Sequence, residues 1–378
     1  MQLTHKIKLN PTVKQRIQLA KTAGCARYAY NWGLQKWNEL YQAGERPNAY
    51  SLSRLWTKER PEWAKSVSGT AERKALFDLG AAFGNFFSKR TARPAFKRKG
   101  DHDGFYCAND AVHWFADRRV SVPMVGRVKV AEQLRFDGHI LGYRVAREGN
   151  DWFICCNMET DQPLPGASAP EGTTVGIDVG LSHVATASDG STLDLPEKLK
   201  QLEIKKRRQQ RTLARSQRNS IAGRDGKTHK EYSNNGRKKL KKLRTIQQQI
   251  NDVRKDACHK WTTAVCKNHA TIVIETLDIN EMRENAPKHL RRSLATSMMH
   301  EVHRQLRYKA RHIVDAPQYF PSSKRCSQCG HRKEDLRLSD RTYTCAYCGL
   351  TMDRDLNASL NLMQTPWVTR EAPVERPR

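Results

Sequence analysis

The group Cys326-x-x-Cys329-Gly330 recurs as Cys345-x-x-Cys348-Gly349 after fifteen intervening residues. This repeat constrains its segment more than any other feature of the chain. A two-residue gap lets both sulfurs of a knuckle face one point, and the glycine that follows permits the turn of backbone toward them. Two such knuckles supply four thiolates in tetrahedral array, the geometry of a closed structural Zn2+ site. Two unrelated cysteine pairs or a redox disulfide would not need the repeated glycines. No coordination position stays open, so this zinc is expected to hold together a segment too short for its own core. The other six cysteines (Cys25, Cys107, Cys155, Cys156, Cys258, Cys266) lie scattered in apolar or helical contexts. They read as small buried hydrophobes or surface thiols of a reducing compartment.

Charge bounds the partners. The 378 residues carry 67 Lys and Arg against 39 Asp and Glu, a formal net charge of +28. Such a surface repels itself until a polyanion neutralises it, and nucleic acid is the expected partner. Residues 198 to 255 concentrate this charge, with 20 Lys and Arg against four acids. That density exceeds what a solvated face needs, so phosphate contact is expected there, with Arg207, Arg208, Arg211, Arg237, Lys238 and Lys241 as candidates. No run of 18 apolar residues exists, and the start MQLTHKIKLNPTVKQ has no apolar signal core. The expectation is a soluble, cytoplasmic protein of two or three compact units without membrane contact.

Patterning along the chain gives an α/β organisation. Leu3, His5, Ile7 and Leu9 alternate with polar residues as a strand, which Asn10-Pro11-Thr12 breaks. Residues 11 to 93 are helical in pattern, with a block near Ala71 to Ser88. After the basic turn PAFKRKG come short strands up to about residue 160, suggesting a small antiparallel barrel that the first strand completes. The Pro/Gly/Ser-rich stretch 161–171 reads as a linker. The basic stretch is helical at both ends and is interrupted by Gly223, Gly226 and Asn234-Asn235-Gly236. A helix is expected with Leu290, Leu294, Met298, Val302 and Leu306 at every fourth position. The polar tail 364–378 is expected to be disordered.

Three acids stand out by context. Asp178 ends the strand VGID, Glu275 lies in the strand IVIE, and Asp355 opens the helix DLNASLNL. An acid at a strand end is more often a turn former or cap, and the strand–Asp–Gly-turn–strand hairpin also occurs in the actin and sugar-kinase phosphate-binding fold. Together, carboxylates at neighbouring strand ends and on a facing helix would converge on one point. Like charges there are tolerable only with hard cations between them. Two Mg2+ ions roughly 4 Å apart suit phosphodiester hydrolysis.

The order VGIDVG, IVIETL, CSQCG, CAYCG, MDRDLNASLNL resembles the RuvC-like nuclease of TnpB proteins and the related type V CRISPR effectors. LNPTVKQ, GCARYAYNWGLQKW, ALFDLGAAFGNFFSKR and ARPAFKRKG are similar to the N-terminal segments of TnpB, so the resemblance spans roughly residues 1 to 362. It implies an RNase H-like (RuvC) domain at 169–362 with a zinc ribbon inserted at 322–352. It also implies a wedge-like β-barrel from 1–10 and 94–165 and a helical recognition insertion at 11–93. Asp178, Glu275 and Asp355 match the three nuclease carboxylates, whereas Asp353 does not match the third; Cys326, Cys329, Cys345 and Cys348 match the zinc ligands. The segment from Tyr308 to Cys326 is short for the family, so the strand ahead of the ribbon is expected to be trimmed. Thr276 stands where the family often has Asp.

The implied function is an RNA-guided DNA endonuclease. Its partners would be a transposon-end-derived guide RNA, one protein per RNA, and target double-stranded DNA beside a short motif. Lys97, Arg98 and Lys99 suit backbone contacts to a heteroduplex, and Tyr50, Ser51, Arg54 and Lys74 suit contacts to the target-adjacent motif. A guided DNA binder that does not cut, and a DNA transposase using the same acids, are the alternatives.

Overall fold

The computed structural model describes residues 2–100, 103–135, 137–180, 183–222, 228–288, 290–291, 294, 297–337 and 340–364, with the side chains of 217–222, 228–231 and 279–280 left aside. The expected tail lies outside the described residues except for Gln364, as do Gly223 and Gly226. The chain divides into two compact units, Met1–Gln162 and Pro163–Arg378.

In the first unit, strand β1 (Gln2–Asn10) is followed by helices α1 (Val13–Gln42), α2 (Ala49–Glu59) and α3 (Gly69–Phe87). Thr12 starts α1 with a capping box: its hydroxyl accepts from Gln15 N, and the Gln15 side chain accepts from Thr12 N. Six strands then follow: β2 (Gly104–Cys107), β3 (His113–Phe115), β4 (Arg119–Val122), β5 (Gly126–Val130), β6 (His139–Glu148) and β7 (Asp151–Glu159). The sheet order is β2-β6-β7-β1-β5-β4-β3, antiparallel throughout. β1 therefore sits inside the sheet rather than closing it, and β2 and β3 share no ladder among the described residues. What the strands form is a sheet; the expected closure into a barrel does not follow from these ladders. Ile7 and Leu9 on β1, Val120 and Val128 on β4 and β5, and Leu34, Leu76 and Leu79 on the helices are all buried in one core.

The second unit has a mixed sheet of order β13-β12-β8-β9, built from β8 (Thr174–Asp178), β9 (Thr186–Ala187), β12 (Thr271–Glu275) and β13 (His312–Ala316). β12 runs parallel to both β8 and β13, and β9 pairs antiparallel to β8. Parallel strands bury both faces, which is why TVGID and TIVIE read as apolar runs. Val175, Ile177, Ile272 and Ile274 pack with Cys258 and Val265 of α5 (Asn234–Asn268) and Val302 and Leu306 of α7 (Met299–Lys309). Val273 and Val314 share the other core with Leu362 of α8 (Arg354–Met363). The strand expected to be trimmed, β13, is present and pairs with β12 over five residues.

The basic stretch folds as α4 (Glu197–Ala214), the hairpin β10 (Gln217–Ala222) and β11 (Thr228–Tyr232), then α5. Asn234-Asn235-Gly236, expected to interrupt a helix, instead opens α5: the Ser233 hydroxyl caps it by accepting from Gly236 N. Leu199, Leu202, Ile246 and Ile250 zip α4 to α5. The expected long helix through Leu290 is divided: α6 (Ile279–Asn285) precedes a partly described segment, and α7 begins only at Met299. Two short strands, β14 (Thr342–Thr344) and β15 (Thr351–Asp353), belong to the cysteine segment. No helix among the described residues is long and apolar enough to cross a membrane.

Candidate functional site

β8 and β12 end side by side. The last pair of their ladder is Ile177 with Ile274, so Asp178 and Glu275 are the next residues on each strand. Side chains alternate across a strand; Ile177 and Ile274 face α5 and α7, which turns the two carboxylates toward the side that α8 covers. Asp355 sits in the first turn of α8, only 7% exposed. The neighbouring Asp353 is the N-cap, its carboxylate accepting from the backbone N–H of Asp355 and Leu356 at 2.9 and 3.0 Å. Two acids two residues apart thus do different things: one caps the N-terminus of the helix, the other is buried in its first turn.

The three acids lie near enough for their charges to act on Asp178. Burial pushes the Asp178 carboxyl well above its ordinary value, and the charges of Glu275 and Asp355 push it further, with Arg354 opposing them. Burial also raises Glu275, opposed by a 2.5 Å hydrogen bond from the Ser322 hydroxyl to Oε1. Arg354 stands 3.5 Å from Asp355 Oδ1. Desolvated like charges of this kind disfavour their own ionisation unless a cation sits among them.

α8 approaches so closely because Gly176 lets it. A Cβ on Gly176 would lie 2.1 Å from Ser359 O and 2.6 Å from Met363 N, so the glycine of VGID is required by backbone contact. The far side of α8 grips the cysteine segment. The amides of Asn357 and Asn361 donate to Arg325 O at 2.7 and 2.6 Å, Asn361 also donates to Ser322 O at 2.8 Å, and Asn357 Oδ1 accepts from Ser327 N. Ser322, which holds Glu275, is therefore itself held by α8. Sequence reading missed Ser322, Asn357 and Asn361. The four-residue spacing of the two asparagines on one helix face was the available signal.

The four cysteines meet as expected. Among the described residues they are the group of ligand-type side chains whose donor atoms all lie within 4.8 Å of one another. Sγ–Sγ distances are 3.6 Å for Cys326–Cys348 and for Cys329–Cys345. Bonds of 2.3 Å at the tetrahedral angle would set sulfurs about 3.8 Å apart, so the donor set fits zinc. The two knuckles repeat one backbone pattern: Gly330 N donates to Cys326 O at 2.9 Å, and Gly349 N to Cys345 O at 3.0 Å. Both glycines have positive φ, 76° and 75°, where a side chain would be strained. Of the remaining cysteines, five are buried and Cys155 is half-buried.

The candidate nucleic-acid contacts fall in both units. Arg207, Arg208 and Arg211 on α4 and Arg237, Lys238 and Lys241 on α5 are exposed, outside the apolar seam between these helices. Tyr50 is 70% exposed, edge-on to Phe77, and Arg54 is exposed. The Ser51 hydroxyl is engaged with Asn48 N and O at the α2 N-terminus, which leaves it little to offer a ligand. Asn31 bonds both backbone groups of Lys97 at 2.8 and 2.9 Å, fixing the basic turn that also carries Arg98 and Lys99. Lys97 Nζ lies 3.7 Å over the Tyr30 ring. Lys74 and Lys97 line one cleft with Arg27 and Arg144.

Comparison with known proteins places this arrangement. Residues 153–286 match the model of a transposase family described as "Probable transposase" (OrfB of IS605), residues 1–46 its "Helix-turn-helix domain", and residues 300–362 a "Cas12f1-like, TNB domain". In this chain residues 1–46 hold β1 and the single helix α1. The chain is 29% identical to "Putative RNA-guided DNA endonuclease InsQ" of Escherichia coli, over 95% of its own length and 90% of the relative's. It is 28% identical over 153 residues to "TnpB-like protein L79" of Acanthamoeba polyphaga mimivirus, 37% of this chain and 29% of that protein. The chain is thus similar to TnpB-type proteins along nearly its whole length. The fold extends the likeness: a Cas12f1 chain from a complex with sgRNA and target DNA superposes with a TM-score of 0.54 at 14% identity, covering 93% of this chain and 83% of that one. Within this TnpB-like chain, the TNB match spans the cysteine cluster and α8, the parts joined by Asn357 and Asn361.

Proposed function

We propose that this TnpB-like chain is an RNA-guided DNA endonuclease whose hydrolytic centre is Asp178, Glu275 and Asp355. The observation that carries it is the convergence of two parallel strand ends and a helix first turn on one buried region, where the charges of Glu275 and Asp355 both act on Asp178. Residues 169–362 are then an RNase H-like (RuvC) nuclease domain, and the cysteine segment 322–352 a zinc ribbon. The first unit's sheet serves as the wedge, with α1–α3 as its recognition helices.

Hard carboxylate oxygens suit Mg2+, and Asp178, Glu275 and Asp355 would together hold a pair of such ions. Bound there, the pair would supply an ionised water and neutralise charge on the leaving oxygen. The protein's own share is positional. Strand backbone fixes Asp178 and Glu275, Ser322 sets the Glu275 carboxylate, and the Asp353 cap fixes the first turn that presents Asp355. Guide and target would lie along the exposed cations of α4 and α5 and the basic turn at Lys97, Arg98 and Lys99. Arg54, Lys74 and Tyr50 would face the target-adjacent duplex.

The test is the purified complex, expressed with its flanking DNA so that a guide RNA copurifies, given matched double-stranded DNA and Mg2+. Asp178→Ala should keep RNA and DNA binding and lose cleavage. Cleavage that survives this change would remove Asp178 from the centre. A wild-type complex that shifts matched DNA yet cuts nothing in Mg2+ or Mn2+ would make the chain a guided binder, and strand-joined products would make it a transposase.

A further inference from the structure

Beside Glu275 lies a groove of about 350 Å3 lined by Leu277, Met282, Ala316, Tyr319 and Phe320 among others. That size falls in the range of small-ligand sites, roughly 300–1,000 Å3. Its lining carries three carboxylates, Glu275, Asp278 and Glu281, and no cation, so a phosphate would be repelled from it. A flat, neutral ring would not be.

The groove is edged by a turn. Phe320 N donates to Pro317 O at 3.1 Å, which makes Tyr319 the third residue of the turn, with φ of 66°. Turns with positive φ at that place take Gly or Asn, because a side chain there is strained. Here the position holds a tyrosine that is 81% exposed. Its neighbour Phe320 packs inward against Val273, Val314 and Leu362. Thr276 Oγ1 ties the start of the turn to β12 by donating to Ala316 O at 2.6 Å. Two residues beyond Phe320, Ser322 bonds the Glu275 carboxylate. A strained, exposed aromatic is thus fixed at the rim of a groove that ends at a centre acid. Strain of this sort persists where the surroundings impose it, and it gathers at functional positions.

We infer that the groove receives a nucleobase of the DNA strand being cut, stacked on the Tyr319 ring, and so sets which phosphate reaches Asp178, Glu275 and Asp355. This rests on the endonuclease reading above. Tyr319 is a substrate-positioning residue: the base gains an aromatic face, and the strand's backbone is kept out of the acidic groove and over the centre. Stacking of this kind is sequence-tolerant and is lost to alanine at a cost of about tenfold or more in affinity.

The test uses the guide complex with Tyr319→Ala, Tyr319→Phe and Tyr319→Gly. Alanine should raise the DNA concentration for half-maximal cutting about tenfold with a smaller change in the maximal rate, and phenylalanine should restore it. Glycine should bind as poorly as alanine yet unfold at a higher temperature than wild type, because it relieves the backbone strain. In parallel, single 2-aminopurines are scanned through the strand not paired to the guide, in complexes carrying Asp178→Ala. Emission at one position should be quenched with Tyr319 or Phe and released with Ala. If wild type cuts and Tyr319→Ala cuts with unchanged concentration dependence, the inference is wrong while the endonuclease reading stands. If wild type cuts nothing, the endonuclease reading fails, and the quenching experiment still decides whether residue 319 holds a base; no position sensitive to residue 319 overturns it.

Discussion

His303 on α7 is 9% exposed, and its Nε2 makes no hydrogen bond among the described residues. Burial, then the charge of Arg307 and of His300, pushes its pKa from 6.5 down to about 4, against the pull of Asp315. In the unfolded chain the ring takes its proton near 6.5. Between that value and about 4 the unfolded state therefore binds a proton that the folded state refuses. The sign follows: stability rises with pH across this window and is lost as pH falls through it, by up to about 3 kcal/mol when the window is fully crossed. His303→Leu, close in volume, should flatten the fall in unfolding temperature between pH 7 and pH 4.5. Thermal melts at several pH values check this, and an unchanged slope would assign the acid sensitivity to other groups. The same burial that makes His303 a liability in acid is what seats α7 against the sheet beside Val302 and Leu306.

Among the elements, those whose pattern is local could be read in advance. VGID and IVIE announce strands, the CxxCG knuckles announce their own turns, and DLNASLNL announces a helix, all from residues within one turn or one strand of each other. What could not be read is what an element meets. Ser322, Asn357 and Asn361 are short polar residues of no special pattern until α8 lies across the cysteine segment, and β1 takes a central place in its sheet only because partners 119 to 157 residues away pair with both its edges. The start of α5 was misjudged because Asn-Asn-Gly usually signals a turn, whereas Ser233 here caps a helix that begins on those residues. The cysteine segment shows the consequence of such contacts. Its own core is little more than Cys326, Tyr343 and Cys345 with Leu336 and Leu350, so most of its folding free energy must come from the metal. Removing zinc with a strong chelator should make residues 322–352 sensitive to protease and, through Ser322 and Glu275, reduce DNA cleavage by about 10- to 100-fold. Cleavage that persists in chelated, proteolysed protein with Mg2+ restored would show that Glu275 keeps its place without the ribbon.

For the molecule as a whole, a net charge of +28 on 378 residues means that the free protein repels itself and that binding a polyanion releases both that strain and the counterions condensed on the phosphates. The density is greatest on the α4–α5 pair, whose apolar seam of Leu199, Leu202, Ile246 and Ile250 leaves the cations outside. Folding and binding are therefore separable there. Replacing Arg207, Arg208, Arg211, Arg237, Lys238 and Lys241 together by Gln should leave the unfolding temperature of the RNA-free protein unchanged or raise it slightly. The same change should weaken RNA binding and make it less salt-dependent. If all six contact phosphates, the slope of log affinity against log salt concentration becomes shallower by about 4, at roughly 0.7 per single-strand contact. A titration of guide RNA at several salt concentrations measures that slope for both proteins. An unchanged slope would make these six cations a solvated surface and move the RNA to the other basic ground of the chain, the turn at Lys97, Arg98 and Lys99 and the cleft of Lys74 and Arg144. A shallower slope with the cleavage rate at saturating RNA preserved would separate holding the guide from cutting the target, since the proposed hydrolytic acids lie on β8, β12 and α8 rather than on these helices.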